Sequence, residues 1–163
     1  MMSRRIQGAS FVLLAVLLLL SLASHTELDW PQTSVPQVQN LCGRFGAFIS
    51  YWAFLFFGKS SWLWPAGAGV YGYFLIKGAP TEKKGASLAI FWLLLLCFTS
   101  GMLHLIWPVL GGPGGTLGMW LNVRLQYLFG QAGAALIFIF LGTIGIAGLM
   151  PAQTLKSAQE HFP

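Results

Sequence analysis

Few side chains in this sequence have the types and spacing that chemistry requires. His25, His104 and His161 are the candidate haem or metal ligands. A ligand pair would need His25 and His104 to face each other across helices. His161 falls in the opposite tail, and His104 fits as well bonded to a backbone carbonyl near the membrane interface. No cofactor and no metal are therefore assigned. Cys42 lies outside an apolar run and Cys97 inside one, with no CxxC pair, so they read as isolated thiols. Residues Ala53 to Ser60 (AFLFFGKS) match a relaxed phosphate-loop pattern. Four bulky apolar residues cannot form a flexible loop whose N–H groups wrap phosphate, and no strand–loop–helix context surrounds them. No nucleotide site and no enzyme activity are expected. Carboxylates are absent from the apolar runs, which argues against a proton- or cation-coupled transporter.

The elements holding these residues follow from composition. The chain has 163 residues, 56% hydrophobic and 8% charged, with a mean hydropathy of +0.70. Soluble domains carry about 25% charged residues, and 8% cannot cover a water-facing surface. The class is an integral membrane protein of one domain. The formal charge is +5, and its placement matters more than its size. Arg4, Arg5, Lys77, Lys83, Lys84 and Lys156 flank apolar runs, the pattern of cytoplasmic loops. No basic stripe interleaved with aromatics lies outside the apolar runs, so direct nucleic-acid binding is not expected.

Phe11–Ala23 is the first apolar run, preceded by Arg4 and Arg5. With residues 6–10 it is long enough to cross a hydrocarbon core, although Ser21-Leu22-Ala23 also resembles a signal-peptide cleavage site. Residues 25–40 hold Glu27, Asp29, Pro31 and Pro36 and no basic residue, as an extracytoplasmic loop should. Residues 47–57 and 62–76 are together too long for one upright span. Either one long helix kinks near Gly58 and Pro65, or an interfacial helix precedes a second span. In the second case Ser60 or Ser61 would cap that span, with Pro65 in its first turn. Residues 86–107 are the clearest span. Residues 117–129 are amphipathic, with Asn122, Arg124 and Gln126 among large apolar residues, and 132–150 form another span. Arg44, Lys59 and Arg124 read as outer-surface residues. The expected fold is all-α: four transmembrane helices with short interfacial helices over residues 1–150, both termini cytoplasmic, and a short cytoplasmic tail at 151–163.

Gly43-Arg44-Phe45-Gly46 and Gly115-Thr116-Leu117-Gly118 lie 72 residues apart, as do Phe57-Gly58 and Phe129-Gly130. Each half reads as span, outer loop, GxxG, short helix, Phe-Gly, span. Two spans per half preserve orientation, which predicts a 2+2 parallel repeat. Gly67, Gly69 and Gly72, and Gly133, Gly142, Gly145 and Gly148, mark faces for close helix approach, within the bundle or between chains.

Asn40-Leu41-Cys42-Gly43-Arg44-Phe45-Gly46-Ala47, followed by Phe57-Gly58 and Pro65, resembles the N-terminal four-transmembrane region of the FtsK/SpoIIIE DNA translocases. The second Gly-rich loop with its Phe-Gly, 111–130, is also similar, and the resemblance runs from about Arg4 to Met150. It implies a bacterial inner-membrane anchor at the division septum, acting in cell division and chromosome segregation. The implied partners are the lipid bilayer, divisome membrane proteins, further copies of the chain and a cytoplasmic motor. No motor or DNA-reading domain lies within these residues, so ATP hydrolysis and DNA translocation are not carried over. The sequence is a fragment, a split-gene product or a stand-alone anchor. The rival readings are a small four-helix transporter or channel, and a membrane haem or redox protein.

Overall fold

The computed structural model describes residues 4–31, 38–78, 85–109 and 112–149. The tail 151–163 and the Lys83-Lys84 pair lie outside the described residues. Every regular element among the described residues is helical: α1 (Arg4–Ala23), α2 (Gly43–Phe57), a 3-10 turn (Gly58–Trp62), α3 (Leu63–Lys77), α4 (Gly85–Ile106) and α5 (Gly115–Leu149). α5 is broken at Gly130 (φ 69°, ψ 178°) into limbs 115–129 and 131–149.

Three stretches are long and apolar enough to cross a membrane: α1, residues Ser87–Ile106 of α4, and α5. α3 has 15 residues, about 22 Å at 1.5 Å per residue. The 3-10 turn before it adds about 10 Å at roughly 2 Å per residue. The outward faces of these helices are apolar: Leu13, Val16, Ile90, Leu93, Leu136 and Phe140 are all exposed. Water would not tolerate such a surface on this scale, whereas lipid solvates it.

α1 packs along α3, and α4 along the 131–149 limb of α5. Lipid supplies no hydrophobic drive for helices to associate, so close packing must hold each pair. Glycine makes this contact. A Cβ at Gly72 would lie 2.8 Å from the Gly8 carbonyl oxygen of α1, and one at Gly8 would lie 2.9 Å from the Ile76 nitrogen. In the other pair aromatic rings fill the glycine gaps. Phe138, fully buried, sits against Gly101, and Phe98 sits against Gly142. Gly145 faces the α4 backbone at Leu95, and Gly148 faces Phe91. Apart from Gly133, where a Cβ would meet only Phe129 of α5 itself, both stripes serve contacts between helices of the chain.

α2 is a separate helix. The chain breaks at Gly58 (φ 57°, ψ −139°), then winds as a 3-10 turn into α3. One long kinked helix across 47–76 is thus not formed. Neither serine caps α3. Because residues 58–62 wind as 3-10, the Ser61 hydroxyl turns back and donates to the Gly58 carbonyl at 2.7 Å. Pro65 is buried in the first turn of α3, where a missing N–H breaks no helix bond. α2 packs against α1 and α5 and carries an aromatic ladder, with Trp52 stacked on Phe56 at 5.5 Å.

Gly72→Val places a branched side chain against backbone and should destabilise the bundle by about 1–3 kcal/mol. Gly69→Ala should be nearly neutral, since a Cβ there meets only the Ala15 methyl at 3.6 Å. Thermal melting of both variants in the same detergent checks the contrast.

Candidate functional site

Among the described residues, the buried polar side chains gather at one end, where α1 meets α2 and α4 meets α5. α1 ends at Ala23, and Asn40 folds back onto it. Asn40 is 4% exposed, and its amide nitrogen donates to the carbonyls of Ser21 at 2.8 Å and Ser24 at 3.4 Å. Its side-chain oxygen accepts from the Cys42 N–H at 3.0 Å, and its carbonyl accepts from the Gly43 N–H at 2.8 Å. The Asp29 carboxylate accepts the backbone N–H groups of Gln39 at 2.8 Å and Asn40 at 2.9 Å. The Ser21 hydroxyl donates to the Gly46 carbonyl at 2.6 Å. Loop, α1 and α2 are thereby locked together by groups that apolar surroundings would penalise if left unpaired. Gly46 must be glycine here, because a Cβ would strike the Asn40 side-chain oxygen and Cys42.

The second loop repeats this local geometry. The Gly115 N–H donates to the Gly112 carbonyl at 2.9 Å, as Gly43 does to Asn40. The Gly118 N–H donates to the Gly114 carbonyl at 3.1 Å, as Gly46 does to Cys42 at 3.2 Å. Gly43 and Gly115 both start a helix at positive φ (65° and 63°), and Gly58 and Gly130 both break one at positive φ (57° and 69°). Such angles are nearly free of cost only for glycine. Gly118 lies against the Ser100 carbonyl, and a Cβ at Gly114 would lie 2.8 Å from that of His104.

Between the two loops is a joint. The Lys59 N–H donates to the Pro113 carbonyl at 2.8 Å. A Cβ at Gly115 would lie 2.5 Å from the Gly58 nitrogen, and one at Gly58 would lie 2.5 Å from the Gly115 nitrogen. Ser60 and Ser61 are buried beside it. The structure thus brings Gly58, with Phe57 before it, against Gly115, and ties Asn40 and Gly46 to Ser21 of α1, while Gly43 bonds Asn40. Gly118 packs on α4. Phe129 and Gly130 remain exposed, away from the joint.

The histidines occupy separate surroundings. His25 shares a hydrogen bond with the Ser50 hydroxyl at 3.0 Å and lies 4.8 Å, ring to ring, from Phe54. His104 is 7% exposed, beside Gly114 and Gly118. Its Nδ1 and the Asn122 side-chain nitrogen are buried without a hydrogen-bond partner among the described residues. No group of three metal-capable side chains occurs among the described residues. Residues 53–57 are the last turns of α2, so the phosphate-loop-like stretch is helix rather than loop. Arg44, Lys59 and Arg124 are exposed.

Sequence reading missed Asp29 and Ser21 as members of the site. Ser21 carried a readable signal: Ser21 and His25 recur as Ser100 and His104, in each case near the end of a span. Asp29 carried none, since its role depends on the loop folding back ten residues later.

The Gln39 N–H holds the Asp29 carboxyl below the usual carboxylate value, against the opposing effect of burial, and the Asn40 N–H and His25 add to the lowering. Because the folded-state value is depressed, this stabilisation is present above the ordinary value of 3.8 and is lost as pH falls through the folded one. Asp29→Asn should therefore melt below the wild-type chain at pH 7, and the gap in Tm should close under strongly acidic conditions. Parallel melts across pH measure it.

A family model described as the 4TM region of DNA translocase FtsK/SpoIIIE matches residues 2–161. Searches of curated proteins and of solved structures find no match. The match spans both GxxG loops, both short helices and the joint between them, so the motifs quoted from the sequence fall inside it. The chain belongs to the family of FtsK/SpoIIIE four-transmembrane regions.

Proposed function

We propose that this chain is a four-span anchoring and assembly domain of the bacterial inner membrane, serving cell division and chromosome segregation from the septum. The family match over residues 2–161 carries this reading. The fourth span is α3 together with its 3-10 turn, about 32 Å from Gly58 to Lys77 by helix rises of 1.5 and 2.0 Å. Both termini are cytoplasmic. Supporting this, Arg4 and Arg5 open α1 and Lys77 closes α3, whereas Glu27 and Asp29 lie in the loop at the opposite end of α1.

The four spans are two parallel halves. The paired positive-φ glycines, each 72 residues apart, support the repeat, as do the matching loop hydrogen bonds. Ser21 and Ser100, and His25 and His104, are each 79 residues apart and extend the match into the first span of each half. His25 meets Ser50 in one half, and the residue 72 further on is the buried Asn122.

The domain itself neither hydrolyses ATP nor reads DNA. It works with a cytoplasmic motor and with divisome membrane proteins. α2 and the 115–129 limb lie along the outer membrane face, where Trp52, Trp62 and Trp120 are exposed at the level that interfacial tryptophans favour.

Two measurements test this. A fluorescent fusion in dividing cells should concentrate at midcell, and an even signal around the envelope would overturn the septal role. In spheroplasts a membrane-impermeant maleimide should label Cys42 before lysis. Labelling only after lysis would invert the topology.

A further inference from the structure

The short helix α2 carries an aromatic face that its own packing leaves exposed. Phe48, Trp52 and Phe56 recur every four residues, so they share one side of the helix. That side stands across a gap from Leu18 and Leu22 in the last turns of α1 and from Trp64 in the first turn of α3. The gap is an open groove of about 540 Å³, within the ~300–1,000 Å³ of small-molecule sites, and every side chain lining it is apolar or aromatic. Ring contacts brace its walls. Trp52 stacks on Phe56, Trp30 meets Phe48 edge-on at 5.2 Å, and Phe57 of α2 meets Trp64 of α3 at 5.5 Å. The groove is therefore formed before anything enters it.

Four residues before Phe48, on the same side of α2, stands Arg44. It is exposed and pairs with no carboxylate among the described residues. Asp29, in the loop before α2, uses both carboxylate oxygens on the Gln39 and Asn40 N–H groups. An apolar slot with an unpaired cation beyond one end matches an amphiphile with an anionic head. Size selects as well. An α-helix is about 10 Å across, so a helical segment along the roughly 14 Å from 48 to 57 would fill about 1,100 Å³, twice the groove. A single hydrocarbon chain bears no side groups and is narrower.

We propose that the groove holds one chain of an anionic glycerophospholipid from the surrounding bilayer, with the lipid phosphate on the Arg44 guanidinium. The inference rests on α2 lying at the membrane interface, as proposed above, and not on the septal role. A guanidinium donates two parallel N–H bonds to a phosphate, and the opposite charges strengthen them. An anionic head is favoured over a zwitterionic one, whose own ammonium group already offsets the phosphate. The second short helix does not repeat the arrangement. Seventy-two residues on from Arg44 and Trp52 stand Thr116 and Arg124, so one such site per chain is expected.

The test uses the full chain in phosphatidylcholine nanodiscs doped with a trace of phosphatidylglycerol or phosphatidylcholine that carries a diazirine on one acyl chain. After illumination, peptide mass spectrometry should find phosphatidylglycerol adducts concentrated on 48–57 and 18–22. Excess plain phosphatidylglycerol should compete for them better than excess phosphatidylcholine. Arg44→Gln should lower the preference for phosphatidylglycerol about fivefold, the scale set by one basic residue at a membrane surface. Arg124→Gln, an exposed arginine on the other short helix, should leave it unchanged. Ala53→Trp fills the groove and should remove both adducts there. Arg44 is exposed, so its replacement tests the site even where Ala53→Trp does not fold. Equal labelling of 48–57 by the two lipids, unmoved by Arg44→Gln, would overturn the phosphate site and leave α2 at the interface. Adducts on outward residues such as Leu93 and Leu136 with none on 48–57 would mean that a second copy or a foreign helix covers the groove, and would overturn the proposal.

Discussion

Backbone meets backbone at Gly58 and Gly115, and the arrangement of the loop end of the bundle depends on that contact. A bond from the Lys59 N–H to the Pro113 carbonyl requires the end of one short helix to lie against the start of another loop. Any side chain at either glycine would hold the two apart. Both residues also adopt positive φ, so two independent constraints select glycine at each. The joint couples α2 to the 115–129 limb, and through them α1 with α3 to α4 with α5. The helix pairs are held by packing along their length, but their relation at this end depends on a few backbone atoms.

Polar chemistry supports the same end. A loop at the edge of hydrocarbon has little water to satisfy its N–H groups, and unpaired groups there are costly. Asp29 and Asn40 act as substitute solvent: one carboxylate takes two backbone donors, and one amide serves carbonyls at the end of α1. The second loop reaches a similar backbone path with Gly112 where the first has Asn40. It lacks that side-chain brace and instead packs its glycines directly on Ser100 and His104. Two chemically different solutions thus produce one local backbone path.

Much of this was legible in the sequence for a physical reason. Apolar runs long enough to cross lipid announce themselves by length, and α1, α4 and the 131–149 limb were read close to their observed limits. The glycine pairs were legible because positive φ narrows the choice to one residue type, so backbone geometry leaves a mark in composition. The boundary between α2 and α3 was not. Residues 47–57 and 62–76 are apolar on both sides of Gly58, and hydropathy cannot distinguish one kinked helix from two helices. Ser60 and Ser61 were misread as caps because their value as N-caps presumes an α-helical start, and the chain instead winds a 3-10 turn. Asp29 was missed because its partners, Gln39 and Asn40, come together only through the loop's return.

The glycines of this chain divide by what surrounds them, and the division limits where assembly can occur. Gly8, Gly72, Gly142, Gly145 and Gly148 are occupied by helix partners from the same chain. Their faces are not open to another copy without separating α1 from α3 or α4 from α5. The remaining outward faces of the spans present Leu, Ile, Val and Phe, which gain little by exchanging lipid for protein. At the loop end the balance differs. There the backbone turns through positive-φ glycines, carbonyls and N–H groups lie near the surface, and hydrogen bonding adds to packing. The loop end therefore combines glycine packing with backbone hydrogen bonding, whereas the spans pack through glycines and the rings that fill their gaps.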